Sequence, residues 1–288
     1  ARLRFSEDGL RPMRAVRFAS VLGFEIEQGT LEAIPRTLET FGKVAHERVR
    51  EELSKLLVGQ HPSRGVRLLR QTGLLARILP EVEALSGLQP APGRDGFELA
   101  LARLDALPAD LELRLAALLF DVPELPAAGA APKGGPVAAA LERLRYPGKT
   151  IELGARLVEE RGFGLAAGRD APALRRTLSR VGRKLVAPLF ELARAQAHAL
   201  GDEALLRRVE ALASQVAELL AERPALTTNE LAIDGKRVMQ LLGIPPGPRI
   251  GEAMRFLLDR VLERPELNET ATLVALLEGW KSAGESPR

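Results

Sequence analysis

The feature that most constrains this chain is its hydrophobic periodicity. Apolar residues recur with a spacing near 3.6 along almost the whole sequence, and alternating runs rich in Val, Ile and Thr are nearly absent. That pattern predicts an all-α protein. Turn-forming residues cut it at Gly59-Gln60-His61-Pro62, Gln89 to Gly96, Pro123 to Pro136, Tyr146-Pro147-Gly148, Arg161 to Pro172 and Arg223-Pro224. Helices of roughly 10 to 20 residues fit between these breaks, as in a serial helical array and unlike a long coiled coil. Three units are expected, over residues 1–60, 61–225 and 226–288, with no repeat of fixed period. The Ala/Gly/Pro-rich stretch from Pro123 to Pro136 is expected to be a surface loop.

With 288 residues and 46% hydrophobic content, the chain can bury a sizeable core or several smaller ones in series. The absence of cysteine excludes disulfides, thiolate metal sites and a thiol nucleophile, and His46, His61 and His198 are too scattered to make a ligand cluster. No apolar run is long enough for a membrane span or arranged as a signal peptide, which predicts a cytoplasmic protein with no membrane partner. The formal charge is only +3, but the pI is near 9.5 and arginine is abundant. Nucleic acid is therefore a candidate partner, with the alternative that the arginines solvate helix faces.

The densest chemistry lies in Ser6-Glu7-Asp8-Gly9-Leu10-Arg11-Pro12-Met13-Arg14-Ala15-Val16-Arg17-Phe18. Ser6 reads as an N-cap with acids in the first turn. Glu7 and Asp8 lie four and three residues before Arg11, so an acid and a guanidinium can brace each other on one helix face. A braced Asp–Arg pair presents fixed acceptors beside fixed donors, which is what reading the Watson–Crick edge of a base requires. Arg14 and Arg17 follow at intervals of three and form a basic stripe able to reach triphosphate oxygens. Leu10, Met13, Val16 and Phe18 are expected to make the apolar contacts. The same spacing also suits a solvated amphipathic helix with weak internal ion pairs, and spacing alone leaves both readings open.

The run from Arg4 to Phe24 resembles the start of the neck domain of class II CCA-adding tRNA nucleotidyltransferases and bacterial poly(A) polymerases. The resemblance implies that the EDxxR element, here Glu7, Asp8 and Arg11, hydrogen-bonds the base of CTP or ATP, and that Arg14 and Arg17 help bind the nucleotide. It continues through Thr30, which is expected to open the next helix. His46-Glu47-Arg48-Val49-Arg50-Glu51-Glu52-Leu53 then resembles the ERxxxEL element that supports the neck. Gly65 to Leu75 with Ile78-Leu79-Pro80-Glu81 is similar to the start of the family's body domain.

At the other end, Leu231-Ala232-Ile233-Asp234-Gly235-Lys236, the Gly247-Pro248-Arg249-Ile250-Gly251 element and Pro265-Glu266-Leu267-Asn268 resemble the family's tail. Pro248 suits a first helical turn, and Gly251 is expected to allow close approach of another helix or a backbone. A ligand-free helix–turn–helix and an RNA-contacting element both fit this segment.

Two departures accompany the resemblance. The family's head domain, with its Gly-Ser motif and its Asp-x-Asp pair holding two metal ions, has no counterpart in these residues, so the chain is expected to be a fragment or a headless homologue that does not catalyse alone. Mg2+ is implied only through that head. Secondly, Leu111 to Val122 resembles the LRLAALLHD segment of HD phosphohydrolases, but Phe120 stands where the metal-binding His would be. A helical body of HD-like ancestry is expected there.

Residues 161–194 are basic, and Arg176, Arg180 and Arg183 fall on one expected helix face with Lys184 beside them. Such a stripe can track phosphates or remain a solvated face. The implied partners are tRNA, CTP and ATP. A CCA-adding enzyme, an A-adding or poly(A) polymerase relative, and a headless RNA-binding module are the readings open at this point.

Overall fold

A computed structural model describes residues 2–124, 134–163 and 170–284. The expected surface loop between Pro123 and Pro136 falls largely outside the described residues. Every regular element among them is helical, as the periodicity predicts.

The chain forms two compact units, residues 1–165 with 188–209, and residues 166–187 with 210–288. In the first, the elements are α1 (Arg2–Glu7), α2 (Arg11–Leu22), α3 (Gln28–Ala33), α4 (Leu38–Phe41), α5 (His46–Leu57), α6 (Pro62–Gln71), α7 (Leu74–Ile78) and α8 (Pro80–Glu83), followed by α9 (Gly96–Asp105), α10 (Leu111–Leu118), α11 (Gly135–Arg143) and α12 (Gly148–Glu159). Several are shorter than the expected ten residues, because Pro35, Pro80 and the left-handed Gly73 break the chain between them. After α13 (Ala171–Val181), α14 (Arg183–Leu200) and α15 (Glu203–Ala221), the remaining helices are α16 (Gly235–Leu242), α17 (Pro248–Glu263) and α18 (Thr270–Gly284).

Helix starts follow local chemistry. Asp95, Asp110, Asp170 and Asp234 each accept a hydrogen bond from a first-turn N–H at 2.7–3.1 Å, the side-chain cap that satisfies an otherwise orphaned donor. Pro62, Pro80 and Pro248 occupy first-turn positions where no intrahelical N–H is needed. Glu27, and not Thr30, caps α3: its carboxylate accepts from the N–H groups of Gly29 and Thr30 at 2.8 and 2.7 Å. Ser6 also departs from expectation, because it lies in the last turn of α1, while α2 begins after Leu10 with no side-chain cap.

In the first unit, α2 packs on α5 and α6, and α9, α10 and α12 form the next layer. Met13, Val16, Leu53, Leu56, Val66 and Leu69 are fully buried, each contributing about 1.5–3 kcal/mol of transfer free energy. Gly65 permits this closeness, since a Cβ there would lie 2.7 Å from the Ser20 hydroxyl and 2.8 Å from Leu56. In the second unit, α17 is the centre, packed by α13, α16 and α18.

Candidate nucleotide and RNA interface

The N-terminal motif begins with a two-helix corner. Asp8 terminates α1 and turns the chain, its Oδ1 accepting from the Leu10 N–H at 3.1 Å. Leu10, Met13 and Val16 fall on the inner face of the corner and are buried. Phe18 departs from the expected apolar set: it is 41% exposed, and the Arg17 guanidinium lies 4.0 Å from its ring centre.

The acids and cations pair differently from the local spacing. Arg11 donates to Glu7 at 2.6 Å and to the Arg4 carbonyl at 2.7 Å. It makes the i,i+4 pair and no direct hydrogen bond to Asp8 among the described residues. Asp8 is reached instead by Arg48 of α5, 40 positions away, at 3.4 Å to each carboxylate oxygen. Arg17 is tied to Glu52 of α5 at 2.5 Å, with only 14% of its side chain exposed against 9% for Glu52. Arg48 and Glu52 are the arginine and second glutamate of the ERxxxEL element, so that element braces the motif by two long-range ion pairs. Leu53 beside them is fully buried.

Electrostatics follow the contacts. The Arg11 guanidinium holds the Glu7 carboxyl below its usual range, helped by Arg4. The Leu10 N–H chiefly lowers Asp8, with Arg48 adding to it against the opposing effect of partial burial. Both carboxylates stay charged, and Asp8 keeps 27% of its side chain exposed and Arg11 38%. A carboxylate offers about four acceptor positions, so Asp8 retains acceptors beside the free N–H groups of Arg11. Arg14 is exposed and has no ion pair among the described residues, whereas Arg17 is engaged. The five motif residues therefore divide into an outward group of Glu7, Asp8, Arg11 and Arg14, and one half-buried brace, Arg17.

The second predicted group is not on one helix. α13 ends at Val181, and Gly182 at φ 84° and ψ 140° starts a new direction before α14, so Arg183 and Lys184 leave the face that carries Arg176 and Arg180. Arg176 pairs with Glu263, and Arg183 donates to the Pro224 carbonyl at 2.6 Å and to Glu230 at 3.3 Å. Lys184 is exposed.

Arg175, which sequence reasoning passed over, is buried and donates to the Leu262 and Glu263 carbonyls at 2.6 and 2.9 Å. It closes the C-terminus of α17, where helix carbonyls lack partners and a cation is favoured. A basic residue at an otherwise apolar position of α13 was the available signal. Asn268 likewise braces the tail, accepting from the Ala232 N–H at 2.8 Å and donating to the Glu230 carbonyl at 3.1 Å. Pro248 opens α17 as expected, but Gly251 faces open space with nothing within 4 Å of a Cβ, so no helix among the described residues of this unit approaches there.

In the HD-like segment, Asp121 is buried and its carboxylate is taken by the Arg103 guanidinium, which also donates to Gln196 at 2.7 Å and to the Ala117 carbonyl at 3.3 Å, 4.4 Å from the Phe120 ring centre. A guanidinium stands against the carboxylate that a metal would need, so these residues do not fit a metal ion. Among the described residues no three His, Asp or Glu side chains are grouped to hold one.

Comparison with known proteins bears on this arrangement. Residues 23–85 match a family model described as "Probable RNA and SrmB-binding site of polymerase A", and residues 148–277 match a model for domain 2 of tRNA nucleotidyltransferases. A CC-adding tRNA nucleotidyltransferase from Thermus thermophilus is 34% identical over 97% of this chain and 68% of its own length. The chain belongs to the tRNA nucleotidyltransferase family. An A-adding tRNA nucleotidyltransferase from Deinococcus radiodurans is 33% identical over 87% of this chain and 63% of its own length. The crystal structure of the Bacillus stearothermophilus CCA-adding enzyme in complex with CTP superimposes with a TM-score of 0.68 at 27% identity, covering 98% of this chain and 64% of that one. The chain thus spans about two thirds of the length of these family members. No helix among the described residues is long and apolar enough to cross a membrane.

Proposed function

We propose that this chain is the nucleotide-selecting and tRNA-holding part of a CCA-adding tRNA nucleotidyltransferase. The observation that carries the reading is the bracing of the motif, Asp8 by Arg48, Arg17 by Glu52 and Arg11 by Glu7, which leaves free acceptors on Asp8 and free donors on Arg11. Such a pair complements the exocyclic amine and ring nitrogen shared by the pairing edges of cytosine and adenine. Arg14 extends the site toward the phosphates of CTP or ATP, and Arg17 positions the helix. Residues 1–60 act as the neck, 61–225 as the body and 226–288 as the tail. Arg176, Arg180, Arg183 and Lys184 contribute to the grip on tRNA phosphates, with Lys184 the most available of them. Mg2+ belongs to a catalytic head outside these 288 residues, which alone do not polymerise, and the protein works in the cytoplasm.

Joined to a catalytic head of the family, the parental chain should add C and A in preference to G and U to tRNA lacking its CCA end. Asp8→Ala and Arg11→Ala should each relax that preference. Parental selectivity in both variants overturns the template reading. Acceptors ending before CCA, after C and after CC separate a CCA-adding enzyme from an A-adding relative.

A further inference from the structure

The second unit carries the single tryptophan of the chain, in surroundings unlike those of the arginines between 175 and 183. Trp280 on α18 and Phe256 on α17 have ring centroids 6.3 Å apart with planes inclined by 35°. The Arg249 guanidinium stands 5.7 Å from the indole centre, and that of Arg260 stands 5.3 Å from the centre of Phe256. Positions 249, 256 and 260 are spaced by seven and four, so all three lie along one stripe of α17. Both rings are half-buried and both guanidinia exposed. Neither guanidinium has a carboxylate partner among the described residues, in contrast to Arg176 and Arg183, which are held by Glu263 and Glu230.

These distances lie near the outer limit of cation–π contact, about 6 Å, so the cations flank the rings without being seated closely on them. Part of each ring stays open to solvent between two charges that have no carboxylate partner among the described residues. A half-open aromatic platform flanked by guanidinia suits unpaired nucleic acid, because a base stacks on the ring while the fork of an arginine meets the adjoining phosphate. An apolar protein face would leave both charges uncompensated. A fully paired duplex offers phosphates but no free base face.

We propose that Trp280, Phe256, Arg249 and Arg260 form a stacking platform for an unpaired nucleobase of the bound RNA. The proposal rests on the reading above that this chain holds tRNA. Because Trp280 is the single indole, its fluorescence reports this position alone.

The test is a titration of the full chain with a tRNA transcript lacking its CCA end. Binding is followed by the anisotropy of labelled RNA, and Trp280 by its emission and its accessibility to acrylamide. The platform requires emission to be quenched and acrylamide access to fall in step with binding, while a blunt RNA duplex leaves both unchanged. Trp280→Leu should weaken tRNA binding about ten-fold, the loss of one base–aromatic stack, and Trp280→Phe should stay within about three-fold of the parent. tRNA binding with unchanged emission and acrylamide access overturns the platform and leaves the tRNA-holding reading standing. That comparison needs only the parent, so it decides even if Trp280→Leu misfolds. Equal quenching by the duplex overturns the nucleobase assignment, and absence of any tRNA binding overturns both readings.

Discussion

The guanidinium of Arg103 donates to the carboxylate of Asp121 with 0% and 5% of the two side chains exposed. Breaking a buried pair strands one charge, which costs about 3–5 kcal/mol. Arg103→Met and Asp121→Leu should therefore each lower Tm by roughly 6–20 °C at about 2–4 °C per kcal/mol for a unit of this size. The double variant should lose less than either single one. Thermal melts of all three check the cycle, and additive losses would show that the pair is not coupled.

Phe120→His, which restores the missing HD histidine, should not recruit a divalent metal while Arg103 holds Asp121. Calorimetric titration with Mn2+ or Ni2+ should register no binding to that variant beyond the parental level. A stoichiometric site would show that the Arg103 contact yields to a metal.

Arg14 and Arg17 share a helix and a charge but not a role. Arg17→Ala removes a half-buried guanidinium from Glu52 and should cost about 2–3 kcal/mol, read as a shift of the denaturation midpoint. Arg14→Ala should leave stability within about 0.5 kcal/mol of the parent, as expected of an exposed position. In a head-containing protein the same Arg14 variant should raise KM for CTP and ATP. The reverse pattern would reassign the two residues.

Asp8 gives a pH test. Its pKa is lowered in the folded protein, first by the Leu10 N–H, so its contribution is complete above the ordinary value of 3.8 and is lost as pH falls through the depressed folded value. Solvent screening keeps this contribution to about 1 kcal/mol or less. The stability difference between parent and Asp8→Ala should accordingly be constant near neutrality and shrink below about pH 4. Denaturant titrations at pH 7, 5 and 3 follow it, and a gap that widens on acidification would contradict the sign.

Arg175→Met leaves the last carbonyls of α17 without their buried donors and should cost about 2–4 kcal/mol. Arg175→Lys should not restore the loss, because one ammonium lacks the fork that reaches both carbonyls. Hydrogen exchange should show α17 opening more readily in both variants. Protection equal to the parent in Arg175→Lys would show that charge alone suffices.

Sequence by itself determined the helical class, the start of α17 at Pro248, the burial of Leu10, Met13 and Val16, and the family through EDxxR, ERxxxEL and the tail pattern. These are local or periodic properties, written in neighbouring residues and read without knowing what lies opposite. Spacing also gave the Glu7–Arg11 pair, whose members are one helical turn apart. Which partner Asp8, Arg17 and Arg175 take was decided by tertiary structure alone. Asp8 turned to Arg48 and Arg17 to Glu52 because α5 crosses α2, and Arg175 faced inward because the end of α17 lies against α13. The stripe from Arg176 to Lys184 divided at Gly182, where one backbone angle redirects everything after it. An arginine is long, charged and indifferent to its local pattern. Its role is set by the carboxylate or carbonyl that packing brings within reach, and that partner stands 35, 40 or 87 positions away in these cases.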